Sequence, residues 1–188
     1  MLAYVFWHYA RPGADLHAYE AALRDFHELL GGCGSEGFIE SRAYGIDGAP
    51  WLPAGPAYED WYLLEGSAAL DPLDRAAVGV RARGAHDRVA AMAGGGAGGL
   101  YRRWRAGAAA GPDAVSTCLW VRKPAGASYA AFHDDLDRIV PAEADIWQRQ
   151  MVLGPAPEYA IVLPGDGPVP GVPAAWEPIA VRRRRVWP

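Results

Sequence analysis

AYEDWYLLEG at residues 57–66 and APEYAIVLPG at residues 156–165 align without a gap. Ala57, Glu59, Leu64 and Gly66 of the first recur as Ala156, Glu158, Leu163 and Gly165 of the second. Each segment is rich in aromatic and β-branched residues and ends at a turn-forming Gly, so each predicts a strand. Working outward from 57–66, residues 38–44 alternate and predict the preceding strand, across a Gly/Pro loop at 45–56 that contains Trp51. Upstream, Leu16, Tyr19, Leu23, Phe26 and Leu30 recur at spacings of three and four. They predict a helix capped by Asp15 and stopped at Gly31-Gly32, after a first strand at 4–10. Downstream, Asp71-Pro72 predicts an N-cap and first turn of a helix running to Met92, broken at Gly84. A Gly-rich turn at 94–99 and a strand at 100–105 follow. The order is β-α-β-β-α-β, the ferredoxin-like unit.

The pattern then restarts. Residues 117–122 predict a strand, and Lys123-Pro124 echoes Arg11-Pro12. Tyr129, Phe132, Leu136 and Ile139 predict a helix, and 146–153, 158–163 and 179–187 predict three further strands. A Pro/Gly segment at 164–173 stands where the second helix would be. This is an internal repeat. It predicts an α+β protein of two tandem βαββαβ units, 1–107 and a shortened 115–188, with antiparallel sheets packed face to face. Residues 108–114 read as the linker by composition.

On this element order the chain resembles the dimeric α/β-barrel superfamily, in a tandem-duplicated form that carries both halves in one chain. That superfamily includes antibiotic-biosynthesis-type monooxygenases, muconolactone isomerases and stress-responsive barrel proteins. The resemblance implies two ferredoxin-like units packed sheet against sheet around a small pocket. Its heme-degrading monooxygenases use an Asn, Trp and His set, and this chain contains no Asn. Element order carries the resemblance without a family motif, and a fold does not by itself fix a function.

Several classes are excluded by composition. There is no Gly-Lys-Ser/Thr loop, the only Lys being Lys123, and no Gly-x-Ser-x-Gly elbow. Gly94-x-Gly96-x-x-Gly99 matches a dinucleotide fingerprint as text but follows a helix and precedes a strand, the reverse of what that site requires. Cys33 and Cys118 form no zinc framework, and no histidine pair has metal-ligand spacing, so neither cofactor nor metal is assigned. The net charge of −4 argues against nucleic-acid partners. No apolar run is long enough to span a bilayer and no secretory leader is recognisable, so the expected setting is the cytoplasm without membrane contact.

Alternation assigns faces. Val5, Trp7 and Tyr9, with Ile39, Ser41, Ala43, Trp61 and Leu63, are expected to meet the helices. Tyr4, Phe6 and His8, with Phe38, Glu40, Arg42, Tyr44, Tyr58, Asp60 and Tyr62, are expected between the sheets. Cys118, Trp120, Arg122, Gln148, Gln150 and Tyr159 join them from the second unit. That mixture suits a pocket for an aromatic or anionic molecule. His8 is the candidate acid/base, because imidazole titrates near neutrality. Arg42 or Arg122 would hold an anion, and Tyr4, Glu40, Tyr44, Asp60, Tyr62 and Trp120 would line the site. The competing reading is a self-paired polar network in a filled core, as in a non-catalytic interaction module. His17, His27 and His133 are expected on solvated helix faces, Arg182 to Arg185 on a charge-protected edge strand, and Trp51 as a lid or plug. The expected reaction class is a cofactor-independent isomerase or oxygenase. A tandem pair predicts a monomer, with an edge-paired homodimer as the alternative.

Overall fold

The computed structural model describes residues 1–107, 115–151, 154–165 and 169–188. The predicted linker at 108–114 lies outside the described residues, as do 152–153 of the predicted strand 146–153 and 166–168 of the Pro/Gly segment. The first half runs β1 (Leu2–Ala10), α1 (Leu16–Gly31), β2 (Phe38–Ile46), β3 (Ala57–Leu64), α2 (Leu70–Ala77), α3 (Arg83–Met92) and β4 (Ala93–Arg105). The second runs β5 (Val115–Val121), α4 (Tyr129–Ile139), β6 (Asp145–Arg149), β7 (Tyr159–Leu163) and β8 (Ile179–Trp187). Between β7 and β8 the described residues form only a short 3-10 turn at Ala174–Trp176.

Strand order is β4-β1-β3-β2 in the first half and β8-β5-β7-β6 in the second. The two sheets were expected to stack as separate layers. Instead β2 pairs with β8 and β4 with β6, all antiparallel, and the eight strands close into one barrel. Closure satisfies edge backbone groups that two stacked sheets would leave open. β8 is therefore interior to the sheet, paired on both sides, rather than a charge-protected edge.

The barrel interior is filled. Trp7, Trp61, Trp120 and Trp147 meet there with Tyr44, Tyr101, Cys118 and Val181. Trp7 and Trp120 sit edge to face at 5.3 Å, and Trp61 and Trp147 at 5.4 Å, an arrangement their ring quadrupoles favour. Trp51 from the β2–β3 loop plugs this cluster, edge-on to Trp7 and Trp120. One ion pair is buried among them. Arg183 reaches Glu59 Oε1 at 3.2 Å and lies 4.3 Å from the Tyr44 ring centre, while both indole N–H groups of Trp7 and Trp61 donate to Glu59. Arg183 also donates to Ser116 Oγ from both Nε and Nη2.

Helices cover the outside. Asp15 caps α1 as expected, its Oδ1 accepting from His17 N at 2.8 Å. Ser128 caps α4 through Ala131 N. The break between the second-helix segments falls at 78–82 and not at Gly84, which lies within α3. At Gly79 an added Cβ would sit 2.7 Å from the Arg75 carbonyl, so only Gly lets α2 end so tightly. The predicted Gly-rich turn at 94–99 is instead the first half of β4. Its glycines lie beneath the aromatic side chains of β1: a Cβ on Gly96 would be 2.6 Å from the Phe6 ring, and one on Gly98 2.7 Å from Tyr4. The rings replace the side chains that a strand interior otherwise supplies.

Candidate functional site between the first-half sheet and its helices

A cavity of about 770 Å³ lies between β1, β3 and β4 and the helices α1, α2 and α3. That volume is within the range of small-molecule sites. Leu23, Phe26 and Leu30 of α1, Leu70 and Leu73 of α2 and Val89 of α3 form its apolar wall. Tyr4, Phe6 and His8 of β1 and Asp60 and Tyr62 of β3 form the opposite wall. The β1 rings stand nearly parallel, Tyr4 against Phe6 at 6.2 Å and Phe6 against His8 at 5.3 Å. Its solvent-exposed lining residues are Asp71 and Asp74 of α2, Ala90 of α3 and Gly94–Gly96 of β4.

Behind the rings is a buried polar chain. Pairing of β1 with β3 sets Phe6 opposite Asp60 and His8 opposite Tyr58, so His8 and Asp60 are diagonal neighbours on one face. Ala43 lies opposite Asp60 on β2. Asp60 Oδ2 is 3.1 Å from His8 Nε2 and 3.2 Å from His27 Nε2, and Tyr62 donates its hydroxyl to the same oxygen at 3.2 Å. His8 Nδ1 is 2.7 Å from the Tyr19 hydroxyl, and His27 Nδ1 is 2.8 Å from Ser41 Oγ. His8 and Asp60 are each 2% exposed and His27 is fully buried.

An ionised carboxylate only accepts, so His8 presents Nε2–H to Asp60, while His27 Nε2 lies 3.2 Å from the same oxygen without a well-aligned hydrogen bond. In the neutral ring that leaves Nδ1 of His8 to accept from Tyr19. Burial alone would raise the Asp60 carboxyl pKa. The positive charge that His8 and His27 carry when protonated, with their hydrogen-bonding contacts, outweighs it and holds the group well below the usual carboxylate range. Burial, reinforced by the Asp60 charge, pushes the Tyr19 and Tyr62 hydroxyls up, so both stay protonated and remain donors. Asp60 Oδ1 has no hydrogen-bond partner among the described residues.

The expected site residues separate into three groups. Tyr4, His8, Asp60 and Tyr62 come together at the cavity, but on the helix-facing side of the sheet, opposite to expectation. Tyr44 and Trp120 face the barrel interior as expected, where they are core side chains. Glu40 and Arg42 pair with each other at the barrel rim, half-exposed, and Arg122 pairs with Glu177 at the surface. No arginine lines the cavity, so the expected anion clamp is absent from it. The inversion extends to Val5, Trp7, Trp61 and Leu63, which fill the barrel, and to Tyr159, which packs under α4. Phe38 also turns to the helices, through the β-bulge between Phe38 and Glu40.

Two residues of the site were not expected there, and a third, His86, was expected on its helix surface, with the end of the barrel as the alternative. Tyr19 and His27 lie two turns apart on the sheet-facing stripe of α1, and a polar ring on that stripe was the available signal. His86 lines the cavity from α3, its ring 5.9 Å from Phe26. His133, expected in solvent, is partly buried against Trp104 and bonded to the Tyr159 hydroxyl.

No known family's sequence profile matches the chain, and no curated protein matches it. Among solved structures it is similar to a candidate monooxygenase from Fusobacterium nucleatum: TM-score 0.65, 7% identity, covering 98% of this chain and 92% of that one. A candidate monooxygenase from Lactobacillus acidophilus matches at TM-score 0.58 and 9% identity, covering 98% and 93%. A candidate chlorite dismutase matches at TM-score 0.51 and 9% identity, covering 98% and 95%. At such low identity the likeness establishes the fold alone: the chain shares the dimeric α/β-barrel fold of these proteins over nearly its whole length.

Proposed function

We propose that the protein binds a small, largely aromatic molecule in the cavity between the first-half sheet and its helices, and promotes proton abstraction there as an oxygenase or isomerase. The observation that carries this reading is the hydroxyl–imidazole–carboxylate chain Tyr19–His8–Asp60 in the wall of that cavity. An acidic O–H or C–H proton of the bound molecule passes to the Tyr19 oxygen as Tyr19's own proton passes to His8 Nδ1. Asp60 holds the required tautomer of His8 and compensates the imidazolium that forms. The deprotonated substrate is the electron-rich species that either isomerises on reprotonation or reacts with dioxygen. The monooxygenase descriptions of two structural neighbours favour the oxygenase branch.

The strand orders β4-β1-β3-β2 and β8-β5-β7-β6 support reading residues 1–107 and 115–188 as a duplicated ferredoxin-like unit. On that reading one chain closes the barrel that other members close by dimerisation, and the protein acts as a monomer.

Saturable fluorescence enhancement of the neutral probe Nile red tests the site. Wild type binds it, and Leu73→Trp, which fills the cavity, weakens binding at least about tenfold with unchanged near-UV circular dichroism. Absence of saturable binding refutes the reading. Dioxygen uptake with a set of phenols, wild type against Tyr19→Phe, tests the chemistry. Equal rates in the two proteins remove Tyr19 from the mechanism, and no uptake with any phenol that binds removes the oxygenase branch.

A further inference from the structure

Among the described residues the cavity is lined by three carboxylates, the buried Asp60 of β3 and the exposed Asp71 and Asp74 of α2. It is lined by no lysine or arginine. Arg75 and Arg88, on the flanking helices, do not line it, and Arg88 is paired with Asp25. His8 and His86 are the lining groups that can become cationic, and His8 is already committed to Asp60 and Tyr19. A second observation is independent of this charge pattern. Asp60 is 98% buried, yet its Oδ1 has no partner among the described residues, while Oδ2 is approached by His8, His27 and Tyr62. A buried carboxylate oxygen of this kind is completed by a donor, and a charged donor serves it best. Tyr4 lies within the field of both Asp60 and Asp74, which push its hydroxyl pKa up after burial has done so. The carboxylates therefore flank an aromatic wall, whose ring faces also attract cations.

We infer that the molecule bound in this cavity is an organic cation, an aromatic body bearing a protonated amine. This rests on the cavity being the ligand site. It also follows from the proposed chemistry. Removing a proton from a neutral molecule would create an anion among three carboxylates, which low-dielectric surroundings strongly oppose. Removing one from an ammonium-bearing molecule yields a species of no net charge, whose positive end answers the carboxylates.

Three probes of one shape test the assignment at pH 8, by calorimetry on the wild-type protein: 2-naphthylmethylammonium, 2-naphthalenemethanol and 2-naphthoate. The expected order is cation, neutral, anion, with the cation favoured over the alcohol by about tenfold at low salt. The double variant Asp71→Asn, Asp74→Asn should lose several-fold affinity for the cation and keep its affinity for the alcohol. Those two residues are exposed, so the variant is expected to fold, and the unchanged alcohol affinity serves as its control. Alcohol binding equal to or tighter than cation binding overturns the inference while leaving the cavity as a ligand site. An undiminished cation preference in the double variant also overturns it. If none of the three binds, the cavity is not the ligand site and both readings fall.

Discussion

Replacing Asp60 with Asn keeps the shape of the side chain and removes its charge. In the wild type one oxygen of Asp60 accepts from the His8 imidazole and the Tyr62 hydroxyl and has His27 Nε2 3.2 Å away, all buried. Breaking a buried pair by removing one partner costs about 3–5 kcal/mol, because the remaining groups stay desolvated without compensation. For a chain of this length each kcal/mol moves the melting temperature by about 2–4 °C, so Asp60→Asn should melt roughly 10 °C lower at pH 7. The effect has a defined pH sign. The folded-state pKa of Asp60 is depressed, so its ionisation contributes stability above the ordinary carboxylate value of about 3.9. That contribution is lost as the pH falls from there towards the depressed value. Urea melts of wild type and variant, followed by near-UV circular dichroism, should therefore be far apart at pH 7 and converge below about pH 4. A variant that melts within about 1 °C of wild type at pH 7 would refute the buried ionised carboxylate.

Three further outcomes follow from the same geometry. Glu59→Gln leaves Arg183 charged and buried in the barrel, and should cost about 3–5 kcal/mol in urea unfolding; pairing Glu59→Met with Arg183→Met should recover much of that loss. Burial raises Tyr19, Tyr62, Tyr101 and Tyr159 above the usual phenol range and Tyr58 to about 12, so stability present below about pH 10 should fall as the pH rises beyond it, with phenolate absorbance near 295 nm appearing together with unfolding. Gly96→Val puts a Cβ 2.6 Å from both the Phe6 ring and the Trp7 carbonyl, and since the carbonyl belongs to the β1 backbone, it should cost about 1–3 kcal/mol by thermal melting and narrow the cavity for Nile red.

Element order was legible in the sequence because each helix and strand carries its own period. Leu16 to Leu30 recur at three and four, and β8 matches its predicted span residue for residue. The facing of β1 and β3 was not legible, because both of their faces are covered. Every residue of β3 is buried, so Tyr58, Asp60 and Tyr62 look no more interior than Glu59, Trp61 and Leu63. Alternation then identifies two sets without saying which one meets the helices. The polar aromatic set was expected between the sheets because the more apolar set, with Val5, Trp7, Trp61 and Leu63, was expected to meet the helices. The tryptophans were the better guide: Trp7, Trp61, Trp120 and Trp147 share the barrel, and Glu59 beside them finds its partner 124 residues away in Arg183. The glycines of β4 misled for a related reason, since what makes them a strand is the β1 rings above them, a tertiary contact absent from local pattern.

The most direct test of the site is a crystal structure of the protein with bound 2-naphthylmethylammonium. The account predicts density for the naphthalene against Tyr4 and Phe6, with the ammonium turned to Asp60 or Asp74. Density inside the barrel among Trp7, Trp61 and Trp120, or on the outer surface with the helix-side cavity closed, would contradict it.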